Sequence, residues 1–436
     1  MNFKKNISAI NLFISSVLLT ALGLYIFFRT DNFLEWFPIV AGTILIYTSL
    51  SKFYSFYIKD KEQRNILSLL GDSAIFIQGI LSIVKPKLIL IIFPAFVIFY
   101  STCLGIIYLI TFYQNKKNNV YFSIFALIKS IIFFIITILT FTMNFYVKTL
   151  IISKLTGLYL IFYGITIFTD FIDEEIPKSY ANKVIRKFAV RLPVLFTMNI
   201  LKNSLNKITD LINNDKDNKA NINLNLNKNQ VGLSPNLDVL IHVKENGTGM
   251  FGHVDIVFNG YVISYGNYDE SSYKLLTSMG EGVLFFIDNK DNYIKFCNEH
   301  YEKTIFDFGL RLTEEQTEKV KLKLDEHISN SYSWLAPINY FKNKHKTYDD
   351  YASELATSNN VMFRKIKRGK FKNYFTFYTN CVKFADSILG QAGIDILNLN
   401  GIISPGAYYN YFDREFRRKN SIVITKTAYH PKGIVK

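Results

Sequence analysis

The chain has 436 residues, a formal net charge of +15 and three cysteines. With 49% hydrophobic and 16% aromatic residues and a mean hydropathy of +0.14, it is too apolar for an ordinary soluble protein, and nearly all its long apolar runs precede residue 173. Three cysteines exclude a disulfide framework, no metal-ligand spacing surrounds Cys297 or Cys381, and no cofactor is expected.

Six apolar stretches occupy residues 10–28, 33–54, 66–84, 88–112, 120–143 and 149–172. Each approaches the roughly 20 residues a membrane helix needs. The first lacks a small-residue cleavage site and is followed by further spans, so it is not a signal peptide. Residues 1–172 are therefore expected to form an all-α six-helix transmembrane bundle. Asp72, Lys129 and Lys154 are ionisable residues within it. Such residues are functional candidates in a membrane, but Asp72 and Lys154 stand near span ends and can snorkel.

Lys4, Lys5, Lys59, Lys61, Arg64, Lys116 and Lys117 fall on one side of a six-span arrangement, with a further basic cluster after the last span. Arg29, Lys85, Lys87 and Lys148 fall on the other. This bias predicts a multi-pass plasma-membrane protein whose C-terminal half is cytoplasmic. The excess charge needs no nucleic acid, because the cations after the last span would meet the bilayer's anionic headgroups. Residues 173–211 are basic and partly amphipathic, with Pro193 interrupting them, and predict an interfacial segment or a helix packed on the bundle. Residues 212–235 are Asn/Lys-rich and read as a linker. Residues 236–436 are enough for a domain with its own core.

That domain opens with strand-like LDVLIHV (237–243). The stretch GHVDIVFNGYVISYGNYD (252–269) then predicts a hairpin turning at Asn259-Gly260, the pair a type I′ turn favours. In that register His253, Asp255, Val257, Val262, Ser264 and Gly266 share one face, and Val254, Ile256, Phe258, Tyr261, Ile263 and Tyr265 the other. The first face is expected to be open, and the second to be core. Strands follow at 282–288 and 303–312, then a helix that Thr313 and Gln316 cap. Strands and helices without βαβ alternation indicate α+β. His242 reads as core, Tyr268 and Asp269 as loop. SPGAYYNYF (404–412) reads as a helix start whose tyrosines pack.

Near the end stands FTFYTNCVKFADSILGQAG. Thr379 or Asn380 is a suitable N-cap, so Cys381 falls in the first turn of a helix ending near Gly390 or Gly393. Free N–H groups and the positive end of the helix dipole favour a thiolate there. Cys297 has no such setting and reads as structural.

A glycine-histidine pair opening a strand, followed by Asn-Cys opening a helix, resembles the circularly permuted branch of the NlpC-type papain-like clan. That branch includes lecithin:retinol acyltransferase-like proteins and bacterial relatives with lipoprotein N-acyl transferases. The likeness covers residues 237–418. By span count and composition, the six-span half resembles small acid-resistance-type bacterial membrane proteins. The first resemblance implies a permuted papain-like fold with Cys381 as nucleophile and His253 as general base. The residue orienting the imidazole is open. Ser264 and Asp255 share its face, and Asn267 would reach it through a bulge at Gly266. Asn267 is chosen because papain-like sites often use an amide there. The expected function is a membrane-anchored thiol enzyme that hydrolyses or transfers an acyl group on a lipid-associated, acylated or peptide substrate. One alternative is a non-catalytic membrane module with a degenerate papain-like domain. The other, if the domain lies outside, is an envelope peptidoglycan amidase.

Overall fold

The computed structural model describes residues 2–58, 66–175, 201–209, 233–244, 252–341, 348–394, 404–417, 421–431 and 433–435. Two compact units emerge, one of residues 1–112 with 124–169, the other of residues 113–123 with 170–436.

The first unit contains α1 (Asn2–Phe28), α2 (Thr30–Ile58), α3 (Ile66–Val84), α4 (Pro86–Lys117), α5 (Ile124–Thr142) and α6 (Phe145–Glu175). Five stretches are long and apolar enough to cross a membrane: Ile10–Phe28, Thr30–Tyr54, Leu90–Lys117, Ile124–Thr142 and Phe145–Thr169. Leu69–Val84 in α3 is apolar but shorter, so among the described residues five such helices stand beside the six spans expected. Side chains such as Leu18, Phe99 and Phe141 remain exposed. An outward-facing apolar surface of this kind is what lipid solvates.

Small residues hold these helices together. A Cβ on Gly23 would lie 2.6 Å from the Gly157 carbonyl oxygen, joining α1 to α6, and one on Gly42 would lie 2.7 Å from that of Gly79, joining α2 to α3. Backbones approach this closely only where no side chain intervenes. Two of the three ionisable residues singled out within the spans have structural partners. Asp72 lies 2.9 Å from Lys52, and the Lys129 ammonium is 5.4 Å from the Tyr108 ring centre.

The second unit begins its helical part with α7 over residues 201–209, whose Leu201, Leu205 and Ile208 are buried in the domain core. Most of 173–211 and of the linker lies outside the described residues. The described part buries its apolar face in the sheet domain, where the sequence left open a helix on the bilayer surface or one packed on the bundle. The strands are β1 (Leu237–Val243), β2 (His253–Phe258), β3 (Tyr261–Gly266), β4 (Met279–Glu281), β5 (Val283–Ile287), β6 (Thr304–Leu310), β7 (Ser331–Trp334), β8 (Val361–Ile366), β9 (Asn373–Phe375), β10 (Val423–His430) and β11 (Gly433–Val435). Between and after them come α8 (Lys290–Tyr301), α9 (Glu314–Ser329), α10 (Pro337–Phe341), α11 (Tyr351–Ser358), α12 (Cys381–Leu389) and α13 (Pro405–Arg417).

Nine strands form one antiparallel sheet in the order β11-β10-β6-β1-β2-β3-β5-β8-β7, and β4 pairs with β9 separately. The β2–β3 turn is as expected: Phe258 faces Tyr261, and Asn259 and Gly260 take φ of 51° and 81°. Helices cover both sheet faces. One core joins Val254, Ile256, Phe258, Ile263 and Tyr265 to residues of α7, α9, α12 and α13. The other joins Val257 and Val262 to residues of α8 and α11. The face carrying His253 is therefore not open as expected. Val257 and Val262 on that same face require cover, which Tyr293 and Leu355 help supply. Burial on both faces also explains why β5 (VLFFI) reads as a continuous apolar run.

Candidate active site

Cys381 opens α12. Asn380 is the N-cap, its side chain accepting the Lys383 N–H at 3.0 Å, while its amide donates to the Thr376 carbonyl at 2.9 Å. Such a cap contributes about 1 kcal/mol to the helix. The apolar face of α12 then packs on β2 and β3. Phe384 stacks on Tyr265 with ring centres 4.8 Å apart, an arrangement contributing about 0.5–1.5 kcal/mol beyond area burial. This fixes Cys381 at the mouth of the hairpin, only 3% exposed.

His253 is the first residue of β2. Gly252 precedes it at φ +80°, and a Cβ there would meet Pro405 at 2.8 Å and the His242 carbonyl at 2.9 Å. Only glycine turns the chain into β2 so tightly at that point. The imidazole is within hydrogen-bonding reach of Cys381. Its Nε2 is 2.8 Å from Asp255 Oδ1, 2.9 Å from Ser264 Oγ and 3.1 Å from the Tyr268 hydroxyl. The structure thus brings His253 and Cys381 together.

Asn267 is elsewhere. Its amide donates to the Thr277 carbonyl at 3.1 Å, and its Oδ1 occupies the space a Cβ on Gly280 would fill. The residue beside the imidazole is Asp255, two positions along the same strand face. The expected bulge does not bring Asn267 round because Tyr268 fills that space: a Cβ on Gly266 would lie 2.4 Å from its ring. Tyr268 is no plain loop residue, since its hydroxyl also lies 2.6 Å from Ser264 Oγ. Asp269 pairs with Lys365 at 2.6 Å, and its carboxylate caps a short helical turn. His242 and the Tyr408–Tyr409 pair are buried, as a packing role requires.

Asp255 is held on its other side too. Its Oδ2 lies 2.8 Å from His242 Nε2 and accepts the Tyr293 hydroxyl at 2.7 Å. In the β1–β2 register His242 faces His253, so one buried carboxylate stands between two imidazoles. Burial disfavours the cation of His253, but Asp255 and then Cys381 outweigh it and push its pKa up to about 10. Burial would raise Asp255, yet the two histidines hold it well below the carboxylate range. For His242 burial wins, and its pKa is lowered. At neutral pH the cluster therefore holds one carboxylate, one imidazolium and one neutral imidazole, with the imidazolium against the Cys381 sulfur.

Tyr374, in β9, covers Cys381. Its hydroxyl interacts by hydrogen bonds with both the side chain and the backbone of Cys381, and burial, then the cysteine, raises its pKa well above 10. Sequence reasoning missed Tyr374, because β9 is three residues long and carries no periodicity. Asp255 left a signal in its i, i+2 spacing from His253, whereas His242 joins the site only through the β1–β2 register. Cys297 is fully buried, and burial pushes its thiol up to about 11, in keeping with a structural role.

Among the described residues, no group of three or more His, Cys, Asp or Glu side chains could hold a metal. A cavity of about 480 Å³ lies at the far end of the hairpin, lined by Asn259, Gly260, Asp288 and Lys290 among others, away from Cys381. The long apolar helices define a multi-span membrane protein that carries a C-terminal antiparallel sheet domain. A family described as a short repeat of unknown function (DUF308) matches residues 14–77, within α1 to α3. No curated protein and no solved structure matches the chain.

Proposed function

We propose that the protein is a membrane-anchored thiol enzyme of permuted papain-like type, acting on an acyl ester, thioester or amide presented at a lipid surface. The observation that carries this reading is Cys381 at a helix N-terminus within hydrogen-bonding reach of His253, whose Nε2 is held by Asp255. In the proposed reaction, Cys381 Sγ attacks the carbonyl carbon, an S–C bond forms, and the carbonyl electron pair moves to oxygen. The Cys381 backbone N–H is the donor this reading assigns to that oxygen. Collapse expels the leaving group, which takes its proton from the His253 imidazolium. Neutral His253 then accepts a proton from water or an amine as that group attacks the thioester. The products are a carboxylic acid or an acylated amine, with the thiolate restored. Asp255 is the positioning residue, and Asn267 has no role in the chemistry. In this reading α3 serves as a sixth span, and the Lys/Arg bias places the C-terminal domain in the cytoplasm.

The test uses full-length protein in detergent micelles with p-nitrophenyl palmitate as acyl donor. Release of nitrophenol should be accompanied by one acyl adduct on the peptide containing Cys381. Cys381→Ala and His253→Gln should lose both. Adduct formation of equal extent on Cys297, or none on Cys381 in folded protein, would replace this reading with the non-catalytic module.

A further inference from the structure

The Cys381 mouth carries an apolar tip that the domain's own packing does not explain. Leu276 is 96% exposed, Leu275 57% and Phe377 42%. Leu275, Leu276 and Thr277 have φ of 49°, 52° and 65°, three successive non-glycine residues in the left-handed region. Such a run is unfavourable and persists only where its surroundings enforce it. The loop is closed by the Lys274–Met279 backbone pair, at 2.9 and 3.2 Å, and is joined from there to the site. The Ser278 carbonyl accepts the Thr376 N–H at 3.0 Å, the Thr376 carbonyl accepts the Asn380 amide at 2.9 Å, and Asn380 caps the Cys381 helix. Tip and nucleophile thus belong to one hydrogen-bonded frame.

The same frame is tied to the end of a membrane helix. Asn118 follows α4 directly and precedes α5 by six residues. Its amide donates to Asn373 Oδ1 at 3.0 Å, next to Tyr374, and its carbonyl accepts the Gly369 N–H at 3.3 Å. At no more than about 3.6 Å per residue, covalent reach alone keeps this clasp at the membrane surface. Tyr121 (91% exposed) and Phe122 (77%) stand in the same connection, where aromatic residues settle at a bilayer interface. Lys274, Lys367 and Arg368 are exposed around the clasp and the tip, matching anionic headgroups.

We infer that Leu275, Leu276 and Phe377 form a lip that inserts into the hydrocarbon of an anionic bilayer. Acyl chains reach Cys381 along it, from the membrane rather than from water. Insertion stands on the exposure and the membrane clasp. Its use as a substrate entrance rests on the thiol-enzyme reading.

Insertion is tested with full-length protein in phosphatidylglycerol-containing nanodiscs, spin-labelled at Leu276→Cys in a Cys381→Ala background. Lys319→Cys on exposed α9 is the reference. The label at 276 should collide with oxygen in preference to a water-soluble nickel chelate, and the label at 319 should do the reverse. Equal chelate access at both positions, or an immobilised label at 276 shielded from both agents, as a protein partner or second copy would produce, overturns insertion. For the entrance, a Leu275→Asn/Leu276→Asn variant should lose at least about tenfold in acylation by p-nitrophenyl palmitate dissolved in vesicles, since two leucines no longer partition into hydrocarbon. Its alkylation by water-soluble iodoacetamide should not change. Unchanged acylation overturns the entrance. If the wild-type protein is not acylated, the thiol-enzyme reading fails, and the spin labels still decide insertion.

Discussion

Replacing Asp255 with Asn separates an ion-pair site from a merely well-packed one. The carboxylate meets His253 with one oxygen, and His242 and Tyr293 with the other. The amide keeps the shape but removes the charge. His253 stands at about 10 against an ordinary 6.5. That rise corresponds to about 5 kcal/mol of preference for the imidazolium, at 1.36 kcal/mol per tenfold in proton affinity, and Asp255 and Cys381 share it. With Asp255 gone, burial is the strongest single influence left on the ring and it opposes the imidazolium. Cys381 then loses the cation beside its sulfur. The thiolate is the reacting form and a neighbouring cation favours it, so iodoacetamide alkylation of Cys381 at pH 6 should fall by at least about tenfold. Alkylation is followed by mass spectrometry of the two cysteine peptides, with buried Cys297 as internal control and a melting curve to confirm folding. An Asp255→Asn protein that melts cooperatively and alkylates with the wild-type pH profile would refute the ion-pair argument.

Stability should depend on pH through the same cluster. His253 has a folded value above its unfolded 6.5, so its contribution is complete below about pH 6.5 and is lost as pH rises toward 10, whereas the contribution of Asp255 is present above about pH 4 and lost in acid. Thermal melts of the wild-type protein should therefore weaken between pH 7 and 10, and His253→Gln should flatten that limb. In the membrane unit, Gly157→Leu forces a side chain against the Gly23 carbonyl, where even a Cβ would lie 2.8 Å away. It should lower the detergent-solubilised melting temperature by the equivalent of about 1–3 kcal/mol, while Gly71→Leu, with nothing near its Cβ, should not. For topology, both domain cysteines are buried, so an exposed one is needed. Lys319→Cys should react with an impermeant maleimide only after cells are permeabilised, and labelling of intact cells would move the domain to the outside.

What the sequence made legible is what local chemistry determines. Asn259-Gly260 set the turn and register of the hairpin, and Thr379-Asn380-Cys381 set the start of α12, because both depend on neighbours within a few residues. Non-local pairing stayed hidden. His242 reaches Asp255 only through the β1–β2 register, and Tyr374 reaches Cys381 through a three-residue strand whose partner, β4, lies some ninety residues earlier. The apolar pattern of residues 201–209 was readable, but not its destination. Leucines at helical spacing serve equally to face lipid or a protein core, and only the fold reveals that Leu201 and Leu205 meet the sheet domain. The choice of Asn267 over Asp255 failed for a steric reason. Gly266 is small so that the Tyr268 ring can lie against it, and the backbone is not free to bulge.

Cys381 is 3% exposed, so on the proposed reading it must be uncovered before it can attack. Tyr374 sits in β9, which pairs only with β4, and a two-stranded ribbon of three residues a side is marginal on its own. Its further supports are the turn at Thr376–Thr379, whose groups also hold Asn380, and the Asn118 amide on Asn373. Lifting Tyr374 exposes the sulfur and frees the Cys381 N–H together, while the imidazole stays fixed because Asp255 is anchored from the opposite side by His242 and Tyr293. The charged half of the site is thus built into the nine-stranded sheet, and the half that the proposed reading requires to move is built into a short ribbon.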